Sequence, residues 1–178
     1  MPYKIIKLSF FLSSFFLFNN LLYAQQSDII KLRIKEIKNW YAEIQSIGLK
    51  NCRTKSYIEY SYSPYPEKKP FTQNVSICNI NNLYAVKKGN FYGDHWGRTI
   101  LVYYKNGKIF FVFETGGGEG QLYETRYYCD SEEKIIQELH RESEEYAELK
   151  EPQSEIKERI QKNIHQIIDL KPFKILEK

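Results

Sequence analysis

The hexapeptide Tyr104-Lys105-Asn106-Gly107-Lys108-Ile109 constrains this chain more than any other stretch. Asn-Gly suits the two positive-φ positions of a type I′ turn, so the flanking runs 98–104 and 109–114 form an antiparallel hairpin. If Lys105 faces Lys108, then Tyr104 faces Ile109, Val102 faces Phe111, Ile100 faces Phe113 and Thr99 faces Glu114. The pair Thr99–Glu114 lies on the other face, where Tyr103, Leu101, Phe110 and Val112 are apolar as well. A strand pair apolar on both sides has to be covered on both sides. The sequence predicts an N-terminal helix for one cover, and C-terminal helices or a second protein chain for the other.

Ile30, Ile34, Ile37, Tyr41 and Ile44 recur at helical spacing, which predicts a helix over 28–47 with one apolar stripe. Ser27 suits the cap and Gly48 the stop. Residues 53–62 alternate as a strand. Pro64, Pro66 and Pro70 predict a loop over 63–75, and a weaker strand falls within 77–88. Gly116-Gly117-Gly118-Glu119-Gly120 is expected to break the sheet, which resumes over 121–129. Asp130 followed by Glu133 resembles a capping box, and Ile135, Ile136, Leu139 and Tyr146 give a helical stripe after it. Ile156, Ile160, Ile164 and Ile167 give another over 153–169. The expected class is α+β: an N-terminal helix packed on an antiparallel meander of about five strands, followed by two C-terminal helices.

Lys4 and Lys7, an apolar run over 8–18 and a small residue at Ala24 match a cleavable secretory signal over 1–24. The run is shorter than the ~20 apolar residues of a membrane span. Residues 25–178 are then read as one domain, with helix plus sheet over 25–129 and a helical tail over 130–178. That tail carries 13 acids against 9 bases in a chain of net charge +4, a balance that does not call for nucleic acid. Secreted or periplasmic localisation follows from the signal. It makes a disulfide feasible among Cys52, Cys78 and Cys129. In a five-stranded meander Cys78 and Cys129 share one end of the sheet, some three strand spacings of ~4.8 Å apart. The alternative is three unpaired thiols. Asn74-Val75-Ser76 fits a glycosylation sequon.

No P-loop, nucleophile elbow, His-Glu-x-x-His or Cys-x-x-Cys occurs, so neither a cofactor nor a metal is called for. His140 with Glu144 and His165 with Asp169 are read as solvated helix pairs. The chain is rich in rings instead, with 15 Tyr, 11 Phe and 2 Trp. The hairpin geometry puts the segment entering the first strand and the loop leaving the second at one end of the sheet. Tyr92, Asp94, His95, Trp96, Arg98, Glu114 and Glu119 gather there as candidate ligand- or partner-binding residues. The bland account is that Trp96 plugs the loop. The functional expectation is an exported binding or interaction module, such as an inhibitor or an envelope-associated protein. Its partner would be a protein or an extracellular ligand, with no membrane span after signal cleavage. The alternatives are a small hydrolase-like enzyme using His95 with Asp94, Glu114 or Glu119, or a carbohydrate-binding domain.

Overall fold

Among the described residues, seven strands follow one another in chain order across a single antiparallel sheet. They are β1 (Cys52–Tyr60), β2 (Pro70–Asn79), β3 (Tyr84–Tyr92), β4 (Trp96–Lys105), β5 (Lys108–Gly118), β6 (Gln121–Cys129) and β7 (Ile135–Glu142). The computed structural model describes residues 27–60, 70–143, 163–169 and 171–176. The proposed signal segment and the sequence between 144 and 162 lie outside the described residues. A helix, α1, covers 27–47. The chain divides into two compact units, Met1–Lys38 and Asn39–Lys178, and all seven strands belong to the second. Among the described residues no helix is long and apolar enough to cross a membrane.

The architecture is mainly β, which corrects the α+β expectation of five strands and two C-terminal helices. Two turns account for the two additional strands. The first lies at 80–83, where Asn81 Oδ1 accepts from Leu83 N at 2.8 Å and Tyr84 N at 2.9 Å, closing a hairpin inside the segment read as one strand. Asx side chains close turns in this way. The second is at Asp130. Its Oδ1 accepts from Glu132 N at 2.8 Å and Lys134 N at 2.9 Å, while Glu133 sits at φ 64°. A carboxylate that accepts backbone N–H two residues on serves a turn as well as a helix cap, and here it starts β7. The second helix, α2, is the single turn Ile164–Ile167, capped by Asn163. A 3-10 turn follows at Lys171–Leu176. The loop expected over 63–75 is also revised: β2 begins at Pro70, the strand-start position where proline is tolerated, and carries Asn74 within it.

The Asn-Gly turn is as expected, with φ of 51° at Asn106 and 77° at Gly107. Lys105 faces Lys108 and Tyr104 faces Ile109. Beyond that point a bulge shifts the register, so Tyr103 faces Phe111, Val102 faces Val112, Ile100 faces Glu114 and Thr99 faces Thr115. The bulge corrects the expected pairs by one residue, because Phe110 is accommodated as an additional residue. Phe110 and Phe111 both approach Tyr103, with ring centroids 6.2 and 5.5 Å away.

Both faces of the sheet are covered. On one, Trp40 of α1 packs edge-on against Phe110 at 5.4 Å, and Tyr41 against Tyr103 and Phe111 at 5.3 Å. On the other, Ile100, Val102, Ile109, Val112 and Tyr127 pack with Ile164, Ile168, Phe173 and Leu176 of the C-terminal segment. Each such side chain contributes ~1.5–3 kcal/mol by leaving water, so a short segment with few backbone hydrogen bonds of its own is held by its apolar residues.

The cysteine expectation is overturned too. Cys52 and Cys78 are bonded, and Cys129 is a buried thiol outside that bond. The additional hairpin is the cause. One more strand between β1 and β4 reverses the direction of β1, which brings Cys52 to the Asn-Gly end, directly opposite Cys78.

Candidate functional site

The end of the sheet away from the Asn-Gly turn brings together the segments expected there. Trp96, at the start of β4, pairs with Gly118, at the end of β5. Glu119 and Gly120, both at positive φ, then turn the chain into β6. The glycine run does not break the sheet as expected, since Gly116–Gly118 are the last three ladder positions of β5. The seven candidate residues divide into three places.

Tyr92, Asp94, His95 and Trp96 line one recess of about 440 Å³, together with Glu59, Tyr60, Phe71, Gln73 and Gly93. Its rim carries the most exposed rings of this end, Tyr60 at 61%, Trp96 at 52% and Tyr92 at 47%. Trp96 is therefore not a buried plug. Its indole lies over Gly93, where any β-carbon would collide with the ring. The loop is held from below by Gln73, which is 2% exposed. Gln73 Nε2 donates to Tyr92 O at 2.8 Å, and Tyr92 N donates to Gln73 Oε1 at 2.6 Å. A side-chain amide here takes the place of a ladder partner where β3 leaves the sheet.

Arg98 and Glu114 form a second group inside the sheet. Arg98 Nε donates to Glu114 Oε1 at 2.7 Å and Nη2 to Oε2 at 3.1 Å, and Nη2 also reaches Ile167 O at 3.3 Å. Tyr123 Oη donates to Glu114 Oε1 at 2.7 Å. Burial pulls the guanidinium down, but the hydrogen bonds and charge of Glu114 outweigh it and hold Arg98 above its ordinary pKa. Burial, then the bond to Glu114, raises the Tyr123 phenol. The fork-on-carboxylate geometry is the strong form of this pair, and the bond to Ile167 O ties the C-terminal segment to the sheet. The role is structural: Glu114 has both oxygens engaged by protein groups.

Glu119 is exposed in the β5–β6 turn and lines neither this recess nor the trough on the opposite face. That trough, of about 590 Å³, is lined by Gly97, Thr99, Thr115, Leu122 and Arg141, and also by the candidate residues Tyr92 and Arg98.

Sequence reasoning missed several participants. His140 lies between Thr125 Oγ1 at 2.7 Å and Glu142 Oε1 at 3.0 Å, with its ring stacked on Tyr123 at 6.0 Å. The expected His140–Glu144 pair assumed helical spacing, whereas in a strand the i,i+2 neighbour shares the face. His165 pairs with Glu133 at 3.2 Å. Gln73, Phe71 and Glu59 were hidden by the loop reading of 63–75 and by the reversed direction of β1. Strand alternation across 70–79 is the signal that finds them. Among the described residues no cluster of three or more His, Cys, Asp or Glu is arranged to hold a metal ion. No family model, curated protein or solved structure matches this chain.

Proposed function

We propose that the protein is an exported binding module that engages a protein partner or extracellular ligand at the recess rimmed by Tyr60, Tyr92 and Trp96. The observation that carries this reading is the exposure of those three large rings at the end of a sheet whose central strands, β3 to β6, are buried or half-buried along most of their length. Tyr and Trp present an apolar body and a polar tip with few rotatable bonds, which suits a contact surface. Glu59, Asp94 and His95 add polar groups around them. The Gln73 clamp supports the reading further, since loops held on a rigid sheet are where binding residues concentrate. The hydrolase reading has less support. Of its three carboxylate candidates, Glu114 is engaged by Arg98 and Tyr123, and Glu119 lies outside the recess. Export is supported by the signal pattern of 1–24 and by the Cys52–Cys78 bond, a feature of oxidising compartments.

The test is capture from an envelope extract by the immobilised mature protein, followed by hydrogen exchange on the purified complex. The expected result is protection of amides at 92–97. Protection confined to β7, or no specific capture, overturns the reading.

A further inference from the structure

β1 is an edge strand that carries three charged side chains but lacks two of the usual protections, proline and a bulge. Its nine residues are exposed except for the half-buried Tyr57. It pairs in unbroken register with β2 along its whole length, and among the described residues it has no other ladder partner. Natural edges are blunted by short length, proline, bulges or charge. Cys52–Tyr60 contains no proline and no bulge, and Lys55 is its one lysine. The strand is also tied to β2. The disulfide pins its start, Thr54 Oγ1 lies 2.8 Å from Ser76 Oγ, and Ser56 Oγ donates to Asn74 Oδ1 at 2.6 Å. A row of peptide groups is thus presented ready to accept another strand.

The sequence of β1 says which strand fits. Cys-Arg-Thr-Lys-Ser-Tyr-Ile-Glu-Tyr is complementary to itself when reversed about Ser56. We propose that β1 pairs antiparallel with β1 of a second copy of this chain, about a twofold axis normal to the sheet at Ser56. Arg53 then faces Glu59 of the second copy, and Glu59 faces its Arg53. Lys55 faces the ring of Tyr57, and Thr54 faces Ile58. Directly opposed residues share a face, so these pairs fall on matching faces of one continuous sheet. Other registers that keep the faces matched do worse. Centring on Lys55 opposes two lysines. Centring on Tyr57 pairs seven residues instead of nine and leaves Arg53 beyond the overlap. Such an isologous contact closes on itself and leaves no β1 edge for a third copy. A single strand pair buries less than the ~1,200 Å² of a standard interface, so the dimer is weak and concentration-dependent. Glu59 and Tyr60 also line the recess, so pairing brings the second copy's Arg53 to its rim. The proposal stands whether or not the recess binds a ligand.

Sedimentation equilibrium on the mature protein, with its disulfide intact, tests it up to concentrations on the order of 100 μM, where weak interfaces are populated. The wild type is expected to show a monomer–dimer equilibrium. Arg53→Glu and Glu59→Arg each create two like-charge pairs and are expected to raise the dissociation constant about 10-fold or more. The double variant restores opposite charges and is expected to return to the wild-type value. Both positions, Arg53 and Glu59, are exposed, and circular dichroism checks that each variant folds. A wild type that stays monomeric overturns the proposal. So do single variants that dimerise like the wild type, or a double variant that does not recover.

Discussion

Gln73 holds the backbone of Tyr92 from both sides, giving its amide N–H to the carbonyl and accepting the N–H on its oxygen. This contact fixes where β3 ends and where the aromatic rim begins. Replacing Gln73 with Leu keeps approximate volume but leaves a donor and an acceptor of Tyr92 facing an apolar neighbour. The expected cost is about 2 kcal/mol, a fall in Tm of roughly 4–8 °C for a domain of this size. An unchanged Tm in Gln73→Leu would show that the clamp contributes nothing.

Gly107 sits at φ 77° with open space where a side chain would stand, so a substitution there tests the backbone alone. Gly107→Val places a β-branched residue in a region such residues avoid. The expected loss is ~1–3 kcal/mol, measured by thermal or urea unfolding. Wild-type stability in this variant would contradict the turn geometry.

That turn was the most legible part of the fold, because Asn-Gly has few structural alternatives. The helix stripe was legible for a similar reason: Ile37 and Ile44 are fully buried, and Ile30, Ile34 and Tyr41 half so. The bulge at Phe110 was not, since Phe, Phe and Val in succession look alike in any register. Asp130 with Glu133 was misread because a carboxylate capping a turn and one capping a helix use the same hydrogen bond. Only the tertiary partner of Ile135 and Glu138 decides between them. The shared end of β4 and β5 followed from the turn. The division there into an aromatic recess and an internal Arg98–Glu114 pair did not, because the bulge moved Glu114 from Thr99 to Ile100.

The disulfide gives a chemical count. Under denaturing, non-reducing conditions the mature protein should react with one equivalent of thiol reagent, at Cys129. Closing 26 residues of sequence contributes about 3.5 kcal/mol in the chain-entropy account. Cys52→Ser with Cys78→Ser is therefore expected to lower stability by that order. Three reactive thiols in the oxidised protein would contradict the pairing.

Alkaline pH should unfold the sheet through its tyrosines. Burial, then the hydrogen bond to Glu43 at 2.8 Å, pushes the Tyr84 phenol up to about 12. Burial also raises Tyr103 and Tyr123. The unfolded chain loses these protons near pH 10, so the folded state binds them more tightly. Stability from this source is complete below about pH 10 and is lost as the pH climbs through about 12. Tm followed over that window should fall more steeply for the wild type than for Tyr84→Phe. Parallel curves would remove Tyr84 as a contributor.

Engagement of a partner at the proposed Tyr60–Tyr92–Trp96 rim can be checked by a side-by-side capture. The mature wild type and His95→Ala/Trp96→Ala are immobilised side by side and offered the same envelope extract, after circular dichroism has compared their melting. Trp96 is half-exposed and His95 lies in an exposed turn, so the double variant is expected to fold with a Tm close to the wild type. It is expected to lose the partner that the wild type retains. A folded double variant that captures the same partner in the same amount would contradict the account.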